Sequence, residues 1–325
     1  MDKIWITWEC QRRNRELSAA LQAKFFELAE IDRIKNPLRK YIRGIWQTYD
    51  ILRQEKPRIV FCQNPSLILS LFLVLVKRPM GFRVCVDAHN AGLYPAEGRS
   101  SLLMLLARIV QRLGDLTLVT NDNLCAIVVA NGGRGFVLPD RIPSINKTPA
   151  RPLRGKHNIL FICSYGADEP YQAVFEAARN LPTDICIYVT GNYRKKGLEP
   201  ESLPENVILT GFVPEQEYLD LLNSVDATID LTTRENCLVC GAYEAVAVGK
   251  PMILSKTEAL QKYFSLGAVY SGNTPSELEE AILKVLSEKN VLEKGVRELK
   301  IMREKEWDSM KKALEDHLLQ LSVQG

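Results

Sequence analysis

Twice along its length the chain alternates short β-branched or aromatic runs with longer segments of helical periodicity, and that order leaves few folds open. In residues 1–150 the strand candidates are Ile4–Glu9, Phe26–Ile31, Arg58–Gln63, Phe82–Ala88, Leu116–Asn121 and Gly135–Leu138. Helical patterns lie between them at Asn14–Lys24, Pro37–Lys56, Ser66–Lys77, Ser101–Leu113 and Asn123–Ala130. Residues 151–325 repeat the scheme, with strands at Asn158–Cys163, Ile185–Thr190, Val207–Phe212, Ala227–Leu231, Met252–Leu254 and Val269–Tyr270. Each series predicts a parallel sheet with helices on both faces. Pro139, Pro143, Pro149 and Pro152 punctuate a stretch without apolar period, which reads as a linker. The expectation is an α/β protein of two doubly wound domains divided near residue 150. Such sheets take ligands outside the carboxyl ends of their strands, so two of them facing each other would frame a cleft.

Charge divides at the same place: residues 1–150 carry +9 and residues 151–325 carry −6, within a net charge of +3. Opposite signs suggest different partners for the two halves. With 46% apolar and 25% charged residues, the chain is neither disordered nor fibrous. The longest apolar run, Leu67 to Val76 broken by Ser70, is about half the ~20 residues a bilayer span requires. Eight scattered cysteines, mostly inside apolar runs, and no leader before Ile4 read as reduced thiols of a cytoplasmic protein. Cys237-x-x-Cys240 has no second pair and no neighbouring histidine, so no metal site is expected.

The most informative stretch runs from Thr232 to Pro251, follows a strand and opens a helix predicted at Leu238–Val248. Glu244 is the one charged residue in that apolar helix. A carboxylate there needs a hydrogen-bonding partner or a cavity, so Glu244 is either a structural ion-pair member or a ligand-binding group. Gly241, one turn earlier, leaves the backbone open to a ligand, and the amides around Asn236 and Cys237 suit an anion such as a pyrophosphate.

The run Gly211-Phe212-Val213-Pro214-x-x-Glu217-Tyr218-Leu219-x-Leu221-Leu222, followed by Asp226-Ala227 and then Glu244-Ala245-Val246-Ala247-x-Gly249-Lys250-Pro251, closely resembles the carboxy-terminal domain of GT-B glycosyltransferases of family 4 (group 1). The resemblance covers Ile159 to Leu260 well and the amino-terminal half only in pattern. It implies two Rossmann-like domains, a nucleotide-sugar site in residues 151–300, and a terminal helix, 301–325, crossing back to the 1–150 domain. An apolar stripe of Leu314, Leu318, Leu319 and Leu321 suits that helix. By position Glu244 is the second acid of the family's E-x7-E motif, which holds the donor ribose. The first falls on Asn236, with Glu235 one place too early. The loop that usually supplies an Arg and a Lys to the diphosphate reads Ser164 to Pro170 without a base. Replacement donors are Arg234, Arg194 after Gly191-Asn192, and the neighbouring Lys195 and Lys196, which otherwise form a solvated loop.

In the first half, Asp87 and His89 end a strand and look like the D-x-H element of related enzymes, which faces a sugar; they are the catalytic candidates. Gln11, Arg12 and Arg13 stand where relatives have a glycine-rich phosphate loop, and Asn64 ends another strand as a polar group or a turn residue. Residues 35–58 interleave basic side chains with Leu38, Tyr41, Ile42, Ile45, Trp46, Tyr49 and Leu52 at helical spacing. That helix either packs on the sheet with a solvated face or rests on anionic lipid.

The reading is a metal-independent hexosyltransferase without a cofactor, retaining, with a UDP- or GDP-sugar as co-substrate. A saccharide or lipid-linked acceptor of polysaccharide or glycoconjugate biosynthesis completes it, with peripheral contact at the cytoplasmic membrane face and no nucleic acid. Alternatives are a non-catalytic GT-B binding subunit and a GT-B sugar-nucleotide epimerase.

Overall fold

The computed structural model describes residues 2–31, 33–64 and 66–323. It forms two compact units, Met1–Asp140 with Glu306–Gly325, and Arg141–Lys305.

The first unit is a six-stranded parallel sheet of β1 (Lys3–Thr7), β2 (Lys24–Glu27), β3 (Ile59–Asn64), β4 (Arg83–Ala88), β5 (Leu116–Val119) and β6 (Gly135–Val137), in the order β2-β1-β3-β4-β5-β6. Alternation along the strands gives it two cores. Ile6, Cys62 and Val86 point to one face, under the helices Leu67–Met80 and Ser101–Leu113. Trp5, Phe61, Cys85 and Leu118 point to the other, where Leu17, Leu21, Trp307, Leu314 and Leu318 cover them. Trp5 stacks on Phe61 at 5.1 Å. Burial on both faces explains why these strands read as continuous apolar runs.

The second unit repeats the architecture with β7 (His157–Phe161), β8 (Ile185–Thr190), β9 (Val207–Gly211), β10 (Ala227–Asp230), β11 (Met252–Ser255) and β12 (Ala268–Ser271), ordered β12-β11-β10-β7-β8-β9 and all parallel. The helix Cys240–Val248 is buried along almost its whole length. It starts two residues later than expected because Leu238 and Val239 are buried in extended approach to it.

Three other expectations shift. The strand expected at Phe26–Ile31 is Lys24–Glu27, and Ala29–Ile31 forms a single 3-10 turn. The units divide at residue 140 rather than 150, since Asp140 is tied to Arg13 and Ile142 enters the second unit's core. The terminal helix is continuous over Lys289–Val323, 35 residues, and gives Val296 and Leu299 to the second unit and Trp307, Leu314 and Leu318 to the first. Among the described residues no helix is long and apolar enough to cross a membrane.

Trp307 is 3% exposed and donates its indole N–H to the Pro139 carbonyl at 3.1 Å. Trp307→Ala removes that bond and leaves a cavity under the sheet, so the first unit should lose about 3–5 kcal/mol. Urea unfolding followed in that unit checks it; a loss under about 1 kcal/mol would mean that the helix is not part of its core.

Candidate functional site

At the carboxyl edge of the first sheet, Thr7 at the end of β1, Gln63 and Asn64 at the end of β3 and Asp87, the last but one residue of β4, are polar and buried. Thr7 Oγ1 and Asn14 Nδ2 both donate to Gln63 Oε1, at 3.2 and 2.6 Å, and Gln63 Nε2 donates to Gln11 Oε1. Arg13 lies on the first turn of the helix Arg12–Ala20 and is buried. Its guanidinium forks onto Asp87 at 2.8–3.1 Å, reaches Asp140 at 2.7 Å and donates to the Leu138 carbonyl at 2.8 Å. Burial works against the charge, but Asp87 and Asp140 outweigh it and hold the Arg13 pKa above its ordinary value. Burial pushes Asp140 up as well, and Arg13 more than reverses it.

These contacts overturn part of the expected phosphate loop. Arg13 faces the protein and is engaged by carboxylates, Arg12 pairs with Glu16 at 2.6 Å on its own helix, and Gln11 is held by Gln63 and Glu9. Asp87 and Asp140, distant in sequence, are what draw Arg13 inward. Asp87, expected to steady His89, is first of all Arg13's partner; its Oδ2 lies 3.6 Å from His89 Nε2, an ion-pair distance too long for a hydrogen bond. His89 stands just before the short helix Asn90–Leu93, and its amide donates to the Asn64 carbonyl. Asn64 Nδ2 donates to the Gly92 carbonyl at 3.1 Å. Three buried atoms of this corner, Asn64 Oδ1, His89 Nε2 and Asn90 Oδ1, have no hydrogen-bond partner among the described residues. Such groups are suited to a hydroxyl-rich ligand.

The carboxyl edge of the second sheet is built from acids. After β7, the Ser164 amide (2.9 Å), the Ser164 hydroxyl (2.8 Å) and the Gly166 amide (2.8 Å) all donate to the Glu169 carboxylate. Tyr165 between them holds φ +61°, the left-handed conformation that turns successive amides toward one anion. Asp168 accepts from the Thr232 hydroxyl at 2.8 Å and pairs with Arg234 at 3.3 Å, which joins this loop to the one after β10. Asp230, at the end of β10, accepts from the amides of Gly241 (2.7 Å) and Ala242. Burial, aided by the nearby charges of Glu169 and Glu244, raises the Asp230 pKa well above the carboxylate range. Glu244 is half-buried, the one residue of 241–248 that is not buried, and accepts a hydrogen bond from the Tyr218 hydroxyl. Burial and that carboxylate push the Tyr218 phenol up.

Gly241 has a different reason from the one expected. A Cβ there would lie 2.5 Å from Asp230 Oδ2 and 2.6 Å from Ile162, so the glycine lets the helix seat on Asp230. Its amide is taken by that acid, and the helix begins at Cys240, beyond the half-buried Asn236 and Cys237 and the exposed Glu235. Gly191, at φ +90°, passes so close to the Cys163 carbonyl that a Cβ would lie 2.2 Å from it. Asn192 and Arg194 beyond it are exposed, with Arg194 over the Tyr193 ring. The sequence reading missed Glu169, Asp230 and Tyr218. A lone Asp closing the apolar strand Ala-Thr-Ile-Asp was the available signal for the second of them.

Residues 169–316 match a family model described as glycosyl transferase-like. None of the curated protein sequences matches the chain. Among solved structures, sucrose-phosphate synthase from Thermosynechococcus elongatus superposes with a TM-score of 0.74 at 14% identity, over 93% of this chain and 84% of that one. HepE from Anabaena, solved with UDP-glucose, gives 0.73 at 11% identity over 97% and 91%. A putative UDP-N-acetylglucosamine 2-epimerase from Listeria monocytogenes gives 0.61 at 16% identity over 91% of both chains. The fold is GT-B, and the resemblance noted in the sequence stands.

Asp230 yields a pH prediction. Its folded pKa is raised, so between the ordinary value of 3.8 and the raised one the folded state holds a proton that the unfolded state has lost. Stability from this group is full below 3.8 and drains away as pH rises through the folded pKa. Asp230→Asn keeps the Gly241 acceptor without the charge. The variant should therefore gain on the wild type in thermal unfolding as pH rises from 3.8 toward the raised folded pKa; parallel curves would place an ionised Asp230 in the fold.

Proposed function

We propose that this protein is a glycosyltransferase that moves a hexosyl group from a nucleotide-diphosphate sugar, UDP- or GDP-linked, to a saccharide or lipid-linked acceptor in polysaccharide or glycoconjugate biosynthesis. The observation that carries the reading is Glu244: a half-buried carboxylate oriented by Tyr218 at the carboxyl edge of a GT-B sheet whose sequence matches the glycosyl transferase-like family. One of its oxygens accepts a hydrogen bond from the Tyr218 hydroxyl, and a carboxylate, with about four lone-pair sites, is the acceptor that suits the two ribose hydroxyls. HepE, which binds UDP-glucose, supports a uridine donor.

In the retaining reaction we assign, the acceptor hydroxyl oxygen bonds to the anomeric carbon on the face from which the phosphate departs. The bond from that carbon to the phosphate oxygen breaks, and the hydroxyl proton passes to the departing phosphate. The protein then has to orient two sugars and steady the charge of the leaving group. Asn64, His89 and Asn90 offer the buried polar atoms for a sugar's hydroxyls. Arg234, which pairs with Asp168 next to the amide-rich loop of Ser164 and Gly166, is one candidate cation for the leaving group, and the exposed Arg194 is a second. Glu169 and Asp230 occupy amides that would otherwise serve the phosphates, and this favours a second reading, a binding subunit without turnover.

Peripheral contact with anionic lipid belongs to the same proposal. In the helix Pro37–Glu55 the residues that face the core are Gly44, Thr48 and Leu52, while Leu38, Ile42 and Trp46 are 68%, 48% and 63% exposed beside Arg39 and Arg43. Of the apolar stripe read from the sequence, Leu38, Tyr41, Ile42, Trp46 and Tyr49 thus face outward, as an interfacial helix requires, while Ile45 and Leu52 pack on the core.

Calorimetric screening of UDP- and GDP-sugars tests the reading. Binding with turnover onto a saccharide upholds it; binding without turnover makes the chain a binding subunit, and conversion of the sugar nucleotide without acceptor makes it an epimerase. Glu244→Gln should weaken nucleoside-diphosphate binding by about 1.5–3 kcal/mol; an unchanged dissociation constant removes Glu244 from the donor site. His89→Ala should lower kcat roughly 100-fold with nucleotide affinity kept, and near-normal kcat would make His89 structural.

A further inference from the structure

The edge of the first sheet opposite to His89, where β4, β5 and β6 begin, holds a cavity that the glycosyl-transfer reading leaves unused. It measures about 620 Å³ and is lined by Lys77, Arg78, Arg83, Arg112 and Arg134, with Asp115 as the one acid in its wall. That volume lies in the range of small-molecule sites. An adjoining recess of about 590 Å³ shares Lys77, Arg78, Arg83 and Asp115 and adds Arg58. Asp115 is already committed: it pairs with Lys77 at 2.7 Å and Arg83 at 3.3 Å and accepts from the Val84 amide at 2.8 Å. Arg78, Arg112 and Arg134 have no carboxylate partner among the described residues.

Cations commonly gather at helix C-termini, where they offset the unpaired carbonyls. That accounts for Lys77, which donates to the Leu113 carbonyl at 2.5 Å. It does not account for Arg134, which stands in no helix, immediately before β6. The loop ahead of it is shaped around a guanidinium: Gly132 holds φ +82°, and a Cβ there would lie 3.1 Å from Arg112 Nε. Guanidinium groups bind phosphate oxygens through paired N–H donors, and several around one recess suit more than one phosphate charge.

We propose that this recess is a second ligand site, separate from Glu244 and His89, that takes a phosphomonoester or diphosphate group. The group arrives either on a free metabolite or on a lipid headgroup, and the inference stands whether or not the chain transfers sugars.

The test is calorimetric titration of the full chain with inorganic pyrophosphate at low and at 150 mM salt, beside the Arg112→Ala/Arg134→Ala double variant and Arg134→Ala alone. The expected result is binding that weakens with salt, at least tenfold weaker in the double variant and intermediate in the single one, with the urea midpoint kept because both side chains are exposed. Flotation with vesicles of phosphatidylcholine containing phosphatidic acid separates the sources. Vesicle binding lost in the double variant and displaced by pyrophosphate assigns a lipid headgroup; pyrophosphate binding without any vesicle difference assigns a free phosphate. Equal pyrophosphate affinity in wild type and double variant, or no binding at low salt, overturns the proposal.

Discussion

A single buried guanidinium organises the carboxyl edge of the first sheet. Arg13 joins the helix after β1 to Asp87 at the end of β4 and to Asp140 and the Leu138 carbonyl beyond β6. Taking one cation and two carboxylates out of water is favourable only when nearly every donor and lone pair is matched, and here the guanidinium's contacts are met within one cluster. The geometry of the corner follows. Asp87 is fixed, the turn from β4 into His89 is fixed with it, and the chain leaves the unit at Asp140 because that residue is an anchor point.

The second unit solves the same problem with the opposite sign. The loop after β7 presents amides at Ser164 and Gly166, the start of the helix Cys240–Val248 presents those of Gly241 and Ala242, and the chain supplies carboxylates to them from Glu169 and Asp230. Glu244 differs from them in lying on the helix rather than at a strand end or in a loop, half-buried, where it accepts from the Tyr218 phenol. Three acids close together would repel one another if all were ionised, and the raised pKa of Asp230 is the relief.

The succession of strands and helices, the parallel sheets and the singular position of Glu244 were legible because they depend on local pattern: burial on both faces leaves continuous apolar runs, and a lone acid interrupts an apolar helix. What was not legible depended on contacts distant in sequence. Nothing local distinguishes Arg12 from Arg13; the inward one is chosen by carboxylates 74 and 127 residues away. Gly241 reads as an opening for a ligand until Asp230 is found beneath it. The helix Pro37–Glu55 turns Leu38, Ile42 and Trp46 outward because Trp8 fills the space on its inner side, donating to Thr48 and lying within 3 Å of where a Cβ on Gly44 would stand.

The continuous terminal helix also sets an order for folding during synthesis. One face of the first sheet, with Trp5, Phe61 and Leu118, is completed by Trp307, Leu314 and Leu318, and residues 141–305 are made in between. At roughly 5–20 residues per second, that face waits on the order of ten to thirty seconds for its cover. The second unit contains all of its own sheet and is finished first, although it is encoded later. The amino-terminal half therefore emerges from the ribosome with an apolar surface that is fully closed only once residues 307–321 have been made, a period in which it is exposed to chaperones and to aggregation.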